Sequence, residues 1–174
     1  MSHTPLRHKP NRLQNYLKVH ETVLEQFKKR GFVGEDSLEF IPLNKYFILQ
    51  GEVGCIGGLI LKVEKLIRVI EVDSSDLSIQ TAWYSYNASI RNSHNVLRYD
   101  NQDEDFGFRE GHSDEHHKHV FDWQTGDELD ESPLWIGADN WPTLGDVLKE
   151  LEDWYWENKG SLYNPDCYPV LNLR

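Results

Sequence analysis

Cysteine is scarce: Cys55 and Cys167 are the two thiols in 174 residues. Two are too few for a disulfide framework or a cysteine-rich zinc site, and a reducing cytoplasmic location is the default expectation. Neither has a histidine near it in sequence, so a Cys–His nucleophile is not indicated. No apolar run reaches the roughly 18 residues of a membrane-spanning helix, and the first ten residues carry no apolar stretch of the kind a secretory leader needs. No membrane partner is expected. The glycines between Gly51 and Gly58 are not followed by Lys-Ser/Thr, and Gly-x-Ser-x-Gly is absent, which removes the phosphate loop and the hydrolase elbow. Positive charge is also short: 18 Lys and Arg face 29 Asp and Glu, a net charge of −11. A general phosphate-binding surface is therefore disfavoured.

The charge that is present is uneven. Residues 1–30 hold seven Lys and Arg against two Asp and Glu, whereas residues 100–157 hold three against eighteen. The basic end suits nucleic acid, an acidic partner, or complementarity within the molecule or a homodimer. Apolar residues make up 39% of the chain, below the roughly 45–50% of an average soluble protein. Six Trp, eight Tyr and seven Phe offset this, because each large ring buries much area.

Residues 1–10 carry two prolines and no periodicity, and read as a loose arm. Leu13, Tyr16, Leu17, Val19, Val23, Leu24 and Phe27 recur at helical spacing, predicting a helix over 11–30. Pro10 and Asn11 suit its start; Lys28, Lys29, Arg30 and Gly31 suit its end. Leu38–Gln50, Val53–Val63 and Lys65–Val72 are rich in strand formers, with a bend expected at Gly57-Gly58. Whether Val63–Lys65 is a turn or a continuation is open. Ile79–Ile90 alternates cleanly: Ala82, Tyr84, Tyr86 and Ala88 share one face, Thr81, Trp83, Ser85 and Asn87 the other. Arg91–His94 reads as a hairpin turn, Val96–Tyr99 as a returning strand, 100–114 as a long polar loop and His116–Trp123 as a further strand. Thr143, with Asp146 three residues on, opens a second amphipathic helix that runs to Asn158. Residues 161–174 read as a surface tail. Strands and helices do not alternate, so the fold class expected is α+β: a curved antiparallel meander flanked on one face by an N-terminal and a C-terminal helix, forming a single domain over 11–160.

Chemistry concentrates in one stretch. Five of eight histidines lie within residues 94–119, namely His94, His112, His116, His117 and His119. Arg98, Tyr99, Asp100, Arg109 and Lys118 lie beside them. On a strand, His117 and His119 share a face, while His116 and Lys118 share the other. Two adjacent imidazoles can divide acid and base roles near neutral pH, with Arg98 or Lys118 steadying the charge of a phosphorane. Such a group cleaves RNA without metal or cofactor. The same stretch permits a zinc or manganese site built from His112, His116 or His117, His119, and Asp100 or Asp114. The plainest alternative is that these histidines only keep a sheet edge polar. Asp103-Glu104-Asp105 reads as a solvated loop, and Trp154-Tyr155-Trp156 as helix packing rather than base stacking.

Tyr84-Ser85-Tyr86, Leu97-Arg98-Tyr99-Asp100-Asn101, His116-His117-Lys118-His119 and the helix opened by Pro142-Thr143-Leu144 together resemble the TumE-like toxins of bacterial toxin–antitoxin pairs, over residues 38–156. The resemblance implies a growth-inhibiting protein made beside a helix-turn-helix antitoxin, and comparable small toxins are often ribonucleases. The leading expectation is therefore a toxin-type ribonuclease. His117 and His119 are its acid and base, and Arg98 and Lys118 stabilise the transition state. Tyr99 and Asp100 orient the histidines, while His116 and Arg109 bind substrate. A non-catalytic binding module presenting its Trp/Tyr helix, and a metal-dependent nuclease or hydrolase, are the alternatives.

Overall fold

The computed structural model describes residues 11–72, 75–101, 116–137 and 140–172. The expected loose arm and residues 102–114 of the expected polar loop, with Arg109, His112 and Asp114, lie outside the described residues, whereas Asp100 and Asn101 end a strand instead of opening that loop. Among the described residues the architecture is α+β: nine strands in one antiparallel sheet, not closed into a barrel, with two main helices.

The strands are β1 (Asn11–Arg12), β2 (Val33–Asp36), β3 (Glu39–Leu43), β4 (Tyr46–Cys55), β5 (Leu59–Val72), β6 (Leu77–Ile90), β7 (Asn95–Asn101), β8 (His116–Val120) and β9 (Leu134–Trp135). From β4 to β9 each strand pairs with the next, which is the expected meander; β2 and β3 both lie against β4, and β1 pairs with β6. The helices are α1 (Leu13–Lys29) and α2 (Leu144–Asn158).

Several sequence boundaries move. The first helix begins at Leu13, not Asn11, because Asn11 and Arg12 are drawn into the sheet opposite Ile79 and Ser78. Val63–Lys65 is a continuation inside β5 rather than a turn. The Leu38–Gln50 segment breaks at Asn44, which takes φ 42° and closes an unforeseen hairpin between β3 and β4. The Gly57-Gly58 bend is the β4–β5 turn, with φ 85° and 75°, where a residue with a side chain is strained. Strand β2 is too short and polar, and β9 too short, to show a period, and the predicted strand at His116–Trp123 ends at Val120. The start of α2 is as read: Thr143 accepts from Asp146 N, and the Asp146 carboxylate accepts from Thr143 N.

Alternation on the long strands gives the sheet one apolar face. Leu49, Val53, Leu61, Val63, Tyr84, Tyr86 and Ala88 share it, and Phe27 of α1 and Val147, Leu148, Leu151 and Tyr155 of α2 complete one buried cluster with them. Arg30 and Glu152 join the helices by an ion pair at 2.8 Å. The tail is held to the sheet, since the Cys167 carbonyl accepts from Gly57 and Gly58, and the Val170 carbonyl accepts from Arg91. No helix among the described residues is long and apolar enough to cross a membrane.

His20 of α1 lies edge-on to Phe40 with ring centroids 5.5 Å apart. Burial, aided by the Lys65 charge, lowers its pKa to about 4. The unfolded imidazole binds a proton near pH 6.5 that the folded one refuses until about pH 4. This contribution is complete above pH 6.5 and is lost as pH falls toward 4. Partial exposure limits the loss to about 1–2 kcal/mol. A His20→Asn variant should flatten that part of the stability–pH curve, as read by urea unfolding between pH 4 and 7.

Candidate functional site

The helix-free face of β7 and β8 carries the candidate site. Register places Arg98 opposite His119 and Asp100 opposite His117, so all four side chains leave the same face. Next in line on β6, Asn87 faces Arg98 and Ser85 faces Asp100. The arginine-bearing strand and the imidazole-rich strand are thus neighbours, with these four side chains on one face.

Turn chemistry at the end of β8 completes the site. The Asp122 side chain accepts from the N–H groups of Gln124 and Thr125. Gly126 takes φ 86°, and a Cβ there would stand 2.8 Å from the His94 ring. The chain therefore reverses, Phe121 bridges Glu128, and β9 returns along β8 with Trp135 opposite His117.

Each imidazole now has a carboxylate. His117 Nε2 lies 2.6 Å from Asp100 Oδ1, and His119 Nδ1 lies 2.5 Å from Glu128 Oε1. Glu128 is itself held by Ser132 Oγ at 2.6 Å. Arg98 Nε sits 2.9 Å from Asp100 Oδ2. Burial pushes the Asp100 carboxyl up, but the hydrogen bond and charge of His117, with the charges of Arg98 and His119, outweigh it and hold the pKa below the ordinary value. Glu128 is lowered chiefly by the Ser132 hydrogen bond, with help from His119.

The two rings meet edge to face, 4.9 Å between centroids. His117 is 0% exposed and His119 6%. Trp135 packs edge-on to His117 at 5.7 Å. This arrangement sets the two imidazoles against each other rather than on either side of an open cleft. It does gather one ligand atom each from Asp100, His117 and His119 within 4.8 Å of one another. Two imidazoles and one carboxylate form a donor set suited to zinc, iron or manganese. A carboxylate on the remote nitrogen of a ligating imidazole, as Glu128 stands on His119 Nδ1, fixes the tautomer with its lone pair on Nε2.

Three assigned residues fall on the wrong face. Lys118 and Tyr99 lie opposite each other on the helix-covered side, where Lys118 Nζ pairs with Glu150 of α2 and the Tyr99 hydroxyl donates to the same carboxylate at 2.5 Å. Neither can stabilise a transition state at the histidines or orient them, and both instead tie β7 and β8 to α2. Burial and Glu150 raise the Tyr99 pKa. His116, read as substrate-binding, is fully buried on that side against Trp141 and Tyr84. The Trp141 indole only donates, so its bond to His116 Nε2 leaves the proton on Nδ1, which donates to the Tyr84 hydroxyl at 3.2 Å. His94 stands apart, against the Trp123 carbonyl.

Glu128, Ser132 and Trp135 were not foreseen. Glu128 sits in an acidic run that reads as solvated surface, and no spacing signal ties it to His119. The Trp154-Tyr155-Trp156 cluster divides: Tyr155 is core, Trp154 packs on Trp123, and Trp156 is 64% exposed. Burial pushes the Cys55 thiol far up, which suits an inert core cysteine. Compared with known proteins, the chain matches no family model, no curated protein and no solved structure.

Proposed function

We propose that this protein is a metal-dependent hydrolase of the nuclease type, acting as the toxin of a toxin–antitoxin pair, with Asp100, His117 and His119 as its metal ligands. The observation that carries the reading is the convergence of those three ligand atoms within 4.8 Å on one sheet face. A divalent metal there would supply Lewis-acid polarisation of a phosphoryl oxygen and a nucleophilic water at neutral pH. Glu128 orients His119, Trp135 shields His117, and Arg98 offers positive charge beside the centre for a phosphodiester. The acidic setting of residues 100–157 repels RNA from the surface at large but concentrates cations. That balance favours a metal over bare imidazoles. The toxin assignment rests on the resemblance of the Arg-Tyr-Asp-Asn and His-His-Lys-His segments, with a helix-turn-helix antitoxin as the expected partner.

A second reading keeps the imidazoles as a metal-free acid–base pair. It is favoured by the carboxylate behind each ring, Asp100 for His117 and Glu128 for His119. One experiment separates the two. The purified chain is assayed for bound metal, and for cleavage of single-stranded RNA with and without chelator. Stoichiometric zinc or manganese, with activity lost on chelation and restored by metal, is the expected result. Cleavage indifferent to chelator in a metal-free protein would install the acid–base reading instead. Absence of both cleavage and growth inhibition would remove the toxin assignment.

A further inference from the structure

On the opposite side of the sheet a cavity of about 230 Å³ opens between α1, the first turn of α2 and strands β5 and β6. Drug-sized sites span roughly 300–1,000 Å³, so any guest here is small. Its walls are aromatic and aliphatic, chiefly Tyr16, Tyr84, Tyr86, Trp141 and Val23, with Val19 exposed at the rim.

Two polar groups in it are under-served. Lys65 lies on the helix-covered face, where its ammonium reaches the Tyr16 hydroxyl at 3.3 Å and the ring faces of Tyr16 and Tyr86 at 5.7 and 5.1 Å. No carboxylate pairs with it among the described residues. The Tyr86 hydroxyl is fully buried, has no partner at full hydrogen-bond geometry, and feels only the nearby Lys65 ammonium, which partly offsets its burial. A buried hydroxyl that lacks an acceptor is destabilising, and an acceptor from a guest would relieve that. The cavity reaches the first turn of α2 at Leu144 and Gly145, the positive end of the helix dipole. The opposing charge is Asp146, whose carboxylate is turned back onto the Thr143 N–H at 2.9 Å. His20 also lines the cavity and is uncharged at neutral pH, its pKa being lowered to about 4.

We propose that this cavity binds a small monocarboxylate with a compact apolar body. Lys65 neutralises the carboxylate, the Tyr86 hydroxyl donates to it, and the aromatic walls enclose the remainder. The site is separate from the Asp100–His117–His119 cluster, which faces away on the other side of the sheet. A ligand here bridges α1, α2 and the sheet, so its binding also stabilises the fold by mass action.

Calorimetric titration of the full chain with benzoate and isobutyrate, and with benzamide as the uncharged counterpart of benzoate, tests this. Saturable binding of at least one carboxylate is expected, with benzamide at least tenfold weaker than benzoate if benzoate is the guest. Lys65→Met should weaken the carboxylate at least tenfold, whereas His117→Ala should leave it unchanged. Tyr86→Phe removes a hydroxyl that has no partner at full hydrogen-bond geometry and leaves no void, so it should keep the fold and still weaken the carboxylate severalfold. It decides the matter if Lys65→Met proves unstable. No saturation by either carboxylate, equal binding of benzamide, or undiminished binding by Tyr86→Phe would overturn the proposal.

Discussion

His117→Ala should abolish stoichiometric zinc or manganese binding, and with it RNA cleavage and growth inhibition. His117 is fully buried and one of three ligand donors, so its loss leaves two donors and a void beneath Trp135. Glu128→Gln is the graded companion. Gln keeps the size of the side chain but weakens the grip on His119 Nδ1, and outer carboxylates of this kind are worth roughly 10–100-fold in metal affinity. Lys118→Ala is the contrast. It breaks the pair with Glu150 on the opposite face, so it should lower stability and leave metal affinity unchanged. Competition titration against a chromophoric chelator gives the affinities, and circular dichroism shows whether each variant is folded. A folded His117→Ala protein that bound metal as tightly as the parent would refute the assigned ligand set.

Leu148→Ala should cost about 2–5 kcal/mol of folding stability. For a chain of this length that is a fall of roughly 4–20 °C in Tm. Leu148 is fully buried on α2, inside the cluster formed by α1, α2 and the apolar sheet face. Truncation removes apolar contact and leaves a cavity that rigid strands on one side cannot close. Two positions separate Leu148 from Glu150, so the same loss should loosen the clamp that Glu150 makes on Tyr99 and Lys118. Trp156→Ala gives the reference. That ring is larger but 64% exposed, and its loss should shift stability within about ±0.5 kcal/mol. Equal Tm values for the two variants would show that α2 does not pack as described.

The placement of each histidine follows from strand period, but its role does not. That His117 and His119 share a face is legible in spacing alone, because a strand alternates sides whatever surrounds it. That Lys118 and Tyr99 turn away from the histidines is the same rule applied to odd and even positions. Reading them as catalytic required one pocket to draw on both faces of a sheet, and a sheet one residue thick forbids it. Which face meets helix and which stays open is a separate question. It depends on where Glu150 and Trp141 arrive, more than 20 residues downstream, and no local pattern encodes that.

The amino-acid sequence by itself determined the α+β class, the amphipathic stripes of both helices, the Thr143–Asp146 cap and the alternation of β6, because each arises from neighbours within a few positions. Only the tertiary structure decided that Glu128 and Trp135 come back along β8, that Asp100 joins the two imidazoles, and that Lys65 faces a cavity without a carboxylate. Those juxtapositions arise from chain reversals at Asp122–Gly126 and from strand register, which bring distant residues together through contacts that no short window of sequence contains.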